Sequence, residues 1–143
     1  MKVNVRKTDA NAIIPTYGSA EAAGADLYAL AASVVRSGET TVVHTGITME
    51  IPKGYVGLIC ARSGLATKKG LAPANKVGVI DSDYRGEIMV ALHNHSAEDR
   101  EIAAGERIAQ LLLVPYLTAE FNEADSLSET ERGEGGFGST GSK

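Results

Sequence analysis

Short apolar runs bounded by turn-forming residues recur along this chain, and residues 76–88 show the pattern most clearly. Val77, Val79 and Ile80 lead into an acidic stretch, and Ile88 begins the apolar run that follows it. Runs of this length, separated by turn residues, predict antiparallel strands. We therefore interpret the segment as a β-hairpin, whose strands would hold the side chains of the turn in fixed positions.

The turn of this predicted hairpin carries two carboxylates, Asp81 and Asp83, and an aromatic residue, Tyr84. A carboxylate fixed at the end of a strand can deprotonate a water molecule beside a stacked ring. Acidic residues also form turns for purely structural reasons, because their side chains bond the local backbone. The turn alone leaves both interpretations open, and we assign no chemical role to Asp83.

The totals fit one acidic domain of 143 residues, of which 43% are hydrophobic and 22% charged. The formal net charge is −4, so no global positive field attracts DNA, RNA or anionic lipid. We therefore expect neither a nucleic-acid nor a membrane partner. The amino terminus lacks an apolar signal core, and no run reaches the length of a membrane span. These features predict a cytoplasmic protein.

Few residues are of the types that bind metals most tightly. Cys60 is the only cysteine, which excludes an internal disulfide and a zinc site with several thiolates. His93 and His95 lie on one face of a predicted strand and could chelate a metal. With no third ligand in sight, structural or solvated histidines are the favoured interpretation.

Other segments predict further strands. Apolar and polar residues alternate within residues 40–52, which predicts one half-buried strand there. Residues 55–60 and 88–93 predict two more, and residues 105–115 form a strand that is almost entirely apolar. The pattern of many short strands favours an all-β fold.

Three polar residues stand in apolar surroundings. Arg107 and Gln110 interrupt the last strand, where an unpaired polar group costs about 1–3 kcal/mol, so each is a structural hydrogen-bonder or a ligand contact. Asp26 follows small residues that let a backbone approach closely. It would lie beneath a ligand or metal, or serve as a buried, hydrogen-bonded structural residue.

One short helix is predicted within residues 61–70, with Ser63 as its N-cap and Gly70 at its end. Backbone amides at the start of a helix, with Arg62 and a hydroxyl beside them, form a natural anion site. An ordinary capped helix with a solvated Arg62 explains the same residues equally well.

We divide the chain into a core domain, residues 1–126, and a flexible glycine-rich arm, residues 127–143. Five of the last twelve residues are glycine, which leaves too little side chain to bury and too much backbone entropy for the arm to order unaided. The arm still holds a cation, an aromatic ring and two hydroxyls, which could close over a base and a phosphate chain. A disordered tail is the alternative.

Five motifs follow one another along the chain: AGADLYA (23–29), ARSGLA (61–66), KVGVIDSDYRGEI (76–88), GERIAQLLL (105–113) and RGEGGFGSTG (132–141). In this combination and order the chain resembles the trimeric deoxyuridine triphosphatase (dUTPase) family over most of its length. One departure is Ala61, where many relatives carry proline, and it bears on the stiffness of that loop.

The resemblance implies an all-β, jelly-roll-like subunit with one short helix and a flexible C-terminal arm. It implies a homotrimer with active sites between subunits, each closed by the arm of another subunit. The implied reaction is the Mg²⁺-assisted hydrolysis of dUTP to dUMP and pyrophosphate, with water attacking the α-phosphorus in line. This reaction limits uracil incorporation into DNA and supplies dUMP for dTMP synthesis.

Two alternatives remain at this point. A dCTP deaminase-like enzyme of the same fold would need a glutamate facing the base, and Glu87 is the only one nearby. A non-catalytic trimeric binding module would retain the fold as a partner surface.

The resemblance also implies roles for individual residues. Asp81 would be the general base, and Asp26 would act through water on Mg²⁺. Asn75 and the backbone of Gly78 would line the uracil edge, and Tyr84 would pack against the deoxyribose. The phosphate contacts would be Arg62, Ser63, Gly64 and Gln110, and the closing arm would supply Arg132, Phe137, Gly138, Ser139 and Thr140, with the ring of Phe137 stacked on uracil.

Overall fold

The computed structural model describes residues 1–136, within which the chain forms twelve strands and one helix. All strand pairs in this range are antiparallel. The expected all-β fold with one short helix is confirmed. The elements are β1 (Asn4–Lys7), β2 (Thr16–Tyr17), β3 (Ala25–Tyr28), β4 (Ser33–Val35), β5 (Thr40–His44), β6 (Ile47–Glu50), β7 (Tyr55–Cys60), α1 (Ser63–Lys69), β8 (Leu71–Pro73), β9 (Gly78–Ile80), β10 (Met89–Asn94), β11 (Arg100–Ile102) and β12 (Arg107–Pro115).

The strands form four sheets. The largest has the order β2-β3-β12-β7-β9, with the long strand β12 at its centre. A second sheet has the order β5-β10-β8, and two-stranded sheets pair β1 with β6 and β4 with β11. Strand β12 is apolar along most of its length because it has a neighbour on each side and packs on the core.

One cluster of buried side chains joins all four sheets. Leu27 and Ile108 come from the five-stranded sheet, Leu92 from the second sheet, Ile47 from β6 and Ile102 from β11, and none is more than 1% exposed. Burying such a side chain contributes roughly 1.5–3 kcal/mol. This shared core holds the ends of distant strands at fixed positions.

The prediction of a hairpin over residues 76–88 was wrong. Strand β9 pairs with β7, with Ile80 opposite Gly57, whereas β10 pairs with β5 and β8. The acidic turn therefore crosses between two sheets. The apolar pattern identified both strands, but it carries no information on which partner each strand selects.

Residues 40–52 were predicted as one strand and form two. The break lies at Gly46, whose φ of 68° is a left-handed conformation that other residues rarely adopt. A Cβ at this position would also crowd Ala12 and Leu30. The chain turns there, so β5 joins the three-stranded sheet and β6 pairs with β1.

Regular structure ends early in the carboxy-terminal part of the described chain. No strand or helix follows Pro115 up to residue 136, and the apolar side chains of Leu117, Phe121 and Leu127 are exposed. The division at residue 126 between core and arm stays a prediction. No helix in the described range is long and apolar enough to cross a membrane.

Candidate active site

An open cavity of about 530 Å³ lies between β3, the start of α1 and β12. Four cations line it together with two carboxylates, so its charge suits an anionic ligand. The charged residues are Arg62, Lys68, Lys69, Arg107, Asp26 and Glu106.

Asp26 organises the cations of this cavity. It is 8% exposed, its Oδ1 accepts a hydrogen bond from Nε of Arg62 at 2.8 Å, and its Oδ2 accepts one from Nη1 of Arg107 at 3.3 Å. A buried carboxylate needs such partners, because an uncompensated charge in this environment is strongly destabilising. Asp26 therefore orients two guanidinium groups at the cavity wall.

Gln110 lies beside this ion-pair cluster because of the sheet register. On β12 it stands opposite Asp26 of β3 and Cys60 of β7. Its Nε2 donates to the carbonyl of Ala61 at 2.9 Å, and a Cβ at Gly24 would clash with its Oε1. Gly24 thus lets the side-chain amide of Gln110 lie close to the backbone just before β3.

The start of α1 differs from the prediction. Ser63 was predicted as the N-cap, but Arg62 occupies that position with extended backbone angles and makes no side-chain capping bond. Ser63 is the first helical residue, and its exposed hydroxyl group lies at the cavity. Gly64 follows it, and a Cβ there would meet no atom within 4 Å.

A further ion pair, between Lys69 and Glu106, also lines the cavity. Nζ of Lys69 lies 2.6 Å from Oε1 of Glu106, and the amide of Ala103 donates to the other carboxylate oxygen at 3.0 Å. Burial raises the pKa of Glu106, but these hydrogen bonds and the charge of Lys69 outweigh it, so the pKa lies below its ordinary value. Glu106 is therefore ionised at neutral pH.

The acidic turn forms a separate surface. Asp81 follows β9, and the turn closes through the amide of Tyr84, which donates to the carbonyl of Asp81 at 3.2 Å. Nη1 of Arg85 donates to the carbonyls of Ser82 and Tyr84 at 2.8 and 3.0 Å, while no ion pair joins it to Asp83 among the described residues. These bonds brace the turn that presents the carboxyl group of Asp81.

Tyr84 folds back over its own turn. Its hydroxyl donates to the carbonyl of Glu87 at 3.0 Å, and its ring covers Gly86, where a Cβ would clash with it. Asn75 and Gly78 lie elsewhere, at a small cavity of about 90 Å³ beside β9. A Cβ at Gly78 would lie 3.1 Å from the Cβ of Ile59, a tight contact that glycine avoids.

The predicted site residues thus separate into three groups within one chain. The predicted phosphate contacts and Asp26 share the cavity of about 530 Å³. Asn75 and Gly78 line the cavity of about 90 Å³, and Asp81 lines another of about 580 Å³. A single copy brings the predicted phosphate contacts together in one cavity. The residues predicted to bind uracil and the predicted general base line other cavities.

Comparison with known proteins identifies the lineage. A sequence model described as dUTPase matches residues 10–141. The deoxyuridine 5'-triphosphate nucleotidohydrolase of Nautilia profundicola is 50% identical over 141 residues, which cover 99% of this chain and 99% of the relative. The chain belongs to the dUTPase family. The corresponding protein of a Hydrogenobaculum species is 49% identical over 144 residues, covering 100% of both chains.

Solved structures of dUTPases share the fold. A variant of the dUTPase of Staphylococcus bacteriophage 80alpha, with dUpNHpp, superposes with a TM-score of 0.92 at 30% identity and covers 98% of both chains. A variant of the phage phi11 dUTPase of S. aureus, described with a structural Mg(II) ion, gives a TM-score of 0.82 at 26% identity, covering 88% of this chain and 98% of that one. The jelly-roll-like dUTPase fold is confirmed.

The dUTPase motif at the carboxy terminus is only partly described. Nε of Arg132 donates to the carbonyl of Gly135 at 2.8 Å, within a short exposed turn. The predicted arm residues Phe137, Gly138, Ser139 and Thr140 lie outside the described residues. Their roles stay predictions.

The residues of the cavity of about 530 Å³ suit a Mg²⁺ ion that has few ligands from the protein. No group of three or more His, Cys, Asp or Glu residues in the described range could hold a metal ion. Mg²⁺ commonly keeps several waters and binds through one or two carboxylates plus substrate phosphates. The carboxylate of Asp26, already bonded to two arginines, fits an ion that is held mainly by substrate oxygens and water.

Glu87 does not meet the requirement of the deaminase alternative. One carboxylate oxygen lies 2.9 Å from Nδ1 of His44, and the other accepts the amide of Gly46 at 2.8 Å. Both oxygens are bonded to the turn between β5 and β6, so the carboxylate is directed at that turn. The geometry of Glu87 and the similarity to dUTPases both argue against the deaminase alternative.

The predicted site omitted several charged and small residues that line the cavity of about 530 Å³. Arg107 had been recognised as a polar residue in an apolar strand, and that anomaly was the available signal for it. Lys69, Glu106 and Gly24 gave no comparable signal, because a lysine, a glutamate and a glycine near turns are ordinary in any sequence. Their contacts are visible only after β3, α1 and β12 come together.

Proposed function

We infer that this member of the dUTPase family hydrolyses dUTP to dUMP and pyrophosphate through in-line attack of water on the α-phosphorus. The observation that carries the inference is the cationic cavity in which Arg62, Ser63, Gly64 and Gln110 surround the anchored carboxylate of Asp26. A triphosphate has the charge, the length and the hydrogen-bond acceptors to bind there.

The phosphate chain binds to groups that are already oriented. Nε of Arg62 donates to Asp26 and its Nη1 donates to the carbonyl of Arg107 at 3.4 Å, so the guanidinium group is held at the cavity wall. The hydroxyl of Ser63 and the amide of Gly64 add hydrogen-bond donors at the same wall. Charge-assisted hydrogen bonds of this kind are roughly twice as strong as neutral ones, and pre-orientation saves the entropy of arranging them.

When bound to the triphosphate, Mg²⁺ would supply neutralisation of the phosphate charge at the reacting group. Asp26 would hold a water molecule of that ion. Its two oxygens accept hydrogen bonds from arginines, so its share in metal binding is through water.

Asp81 supplies the general base. It aligns the attacking water and takes its proton, and a placed base of this kind contributes about 10²–10⁴-fold to the rate. The turn braced by Arg85 keeps the backbone of Asp81 in place during the reaction. The remaining acceleration comes from positioning and from charge stabilisation by the phosphate contacts.

The nucleoside end is selected by shape. Asn75 and the backbone of Gly78 would bind the edge of uracil in a space too narrow for the methyl group of thymine. The ring of Tyr84 would pack against C2' of the sugar and exclude a ribose hydroxyl. Phe137 would stack on the base, and Arg132, Gly138, Ser139 and Thr140 would close over the terminal phosphate.

The complete site forms between copies of the chain in a homotrimer. The separation of the predicted residues over three cavities of one chain supports this arrangement, since none of these cavities contains all of them. The apolar side chains of Leu117, Phe121 and Leu127, which are 98%, 94% and 89% exposed, also support burial against another copy.

A nucleotide panel tests the proposal. Purified protein of known mass in solution is assayed for pyrophosphate with dUTP, dCTP, dTTP and UTP, with and without Mg²⁺. We expect a trimer that releases pyrophosphate from dUTP and needs Mg²⁺ for full activity. Ammonia release from dCTP, or no pyrophosphate from any nucleotide, would overturn it.

A further inference from the structure

Glu87 lies just after the turn that carries Asp81 and Tyr84, and its side chain points back to the turn between β5 and β6. Its Oε2 lies 2.9 Å from Nδ1 of His44, and its Oε1 accepts the amide of Gly46 at 2.8 Å. Burial raises the pKa of Glu87, but these hydrogen bonds outweigh it and the pKa lies below its ordinary value. An ionised carboxylate therefore bridges the two segments.

The same residue holds Tyr84 through its backbone. The carbonyl of Glu87 accepts the hydroxyl of Tyr84 at 3.0 Å. The ring also lies against Gly86, where any side chain would clash with it. The position of the ring is thus set by the backbone of residues 86–87, and that backbone is set in part by the side chain of Glu87.

The next residue is attached to the same turn, but only by backbone and hydroxyl groups. The amide of Ile88 donates to the carbonyl of Ile47 at 2.9 Å, and Oγ1 of Thr45 donates to the carbonyl of Ile88. Ile88 is fully buried, so this attachment persists whatever happens at Glu87. Loss of the Glu87 side chain would remove the side-chain anchor of the backbone at residues 86–87, on which the ring of Tyr84 rests, while the chain beyond them stays in place.

We propose that Glu87, held by His44 and the amide of Gly46, is a positioning residue that sets the ring of Tyr84 against the sugar and thereby sharpens the preference for dUTP over UTP. The proposal rests on the proposed function, in which Tyr84 packs against the deoxyribose. Discrimination by steric exclusion requires a wall that does not yield, because a ring free to move by about 1 Å admits an extra hydroxyl.

The test is the ratio of kcat/KM for UTP to kcat/KM for dUTP. In Glu87→Ala we expect this ratio to rise about tenfold, with kcat for dUTP changed by less than about threefold. Glu87→Gln keeps an oxygen for the amide of Gly46 and a polar group for His44, so we expect a ratio close to that of the unmodified protein. Glu98→Ala removes an ion-paired carboxylate from the β10–β11 loop and should leave the ratio unchanged.

A purely structural role would lower the unfolding temperature of Glu87→Ala and leave the substrate ratio unmoved. His44→Ala provides a second measurement, since His44 is exposed and its loss still leaves the amide of Gly46 on Glu87. We expect its ratio to rise about threefold. The proposal is overturned if the ratio of kcat/KM for UTP to that for dUTP is unchanged in His44→Ala and in the folded fraction of Glu87→Ala.

Failure of the proposed function has a different signature. It would show in the unmodified protein, as absence of dUTP hydrolysis or absence of a preference for dUTP over UTP. If the unmodified protein prefers dUTP and the variants keep that preference, only the positioning role of Glu87 is rejected.

Discussion

The carboxylate of Asp26 accepts a hydrogen bond from Nε of Arg62 at 2.8 Å, across 36 positions of sequence. Its other oxygen accepts a hydrogen bond from Arg107, which lies 81 positions away. Two cations of the phosphate cavity thus depend on one buried acid. Its loss would remove the anchor that the two guanidinium groups share.

Asp26→Asn should weaken phosphate binding even without a metal ion. The neutral amide keeps the shape of the side chain but loses the charge that orients both arginines, so we expect affinity for a nonhydrolysable dUTP analogue in EDTA to fall about tenfold. Calorimetric titration measures it, and Asp99→Asn, an exposed acid bonded to the amide of Ser37, is the control. Equal affinity in EDTA would restrict Asp26 to a role in metal binding.

Asp81→Asn should preserve binding of dUTP and lower turnover by at least about a hundredfold, because the amide cannot accept the proton of the attacking water. Asp83→Asn is the matched control, since it makes the same change two residues further along the same turn and should retain most of the turnover. Single-turnover release of pyrophosphate measures both. Near-normal turnover in Asp81→Asn would remove it from the role of base.

Gly64→Ala should change stability and activity in opposite directions. A Cβ at this position meets no atom within 4 Å, and alanine favours a helix over glycine by about 0.5–1 kcal/mol, so stability should hold or rise. KM for dUTP should nevertheless rise several-fold if a phosphate approaches this backbone closely. In Gly57→Ala the Cβ would lie 2.7 Å from Cδ1 of Ile51, so that variant should be destabilised instead. An unchanged KM in Gly64→Ala would place the phosphates elsewhere.

Glu106→Gln should lower stability in a pH-dependent way. The pKa of Glu106 is held below its ordinary value of 4.5, so its contribution is present above that pH and is lost as the pH falls through the lowered value. The difference in unfolding temperature between the unmodified protein and this variant should be present at pH 7 and shrink as the pH falls below 4.5 and through the lowered pKa of Glu106. Scans at equal protein concentration measure it, with the exposed Glu101→Gln as control. A difference that stays constant with pH would contradict the ion pair with Lys69.

Local sequence patterns predicted strands and helix ends well where neighbouring residues determine them. Alternation and apolar runs located β7, β10 and β12, and Gly70, with a φ of 68°, ends α1 as predicted. The cap failed because Ser63 already has helical geometry, so its hydroxyl does not reach the amides that a cap would satisfy. A one-residue shift at a helix end lies below what a sequence pattern resolves.

The hairpin failed for a different reason. The two apolar runs around Asp81 satisfy every local rule for a hairpin, yet β9 lies on β7 and β10 lies between β5 and β8. Pairing between strands 19 or more positions apart depends on which surfaces bury together, and only the assembled core decides that.

The amino-acid sequence by itself determined the strand-rich fold, the short helix, the family and the residue types that the chemistry uses, because each of these depends on short stretches of chain. Tertiary structure alone decided that Asp26 anchors Arg62 and Arg107, that Glu87 reaches His44, and that one copy leaves Asp81 apart from the phosphate cavity. Those contacts join residues far apart in sequence, and the register of sheets around a common core sets their distances.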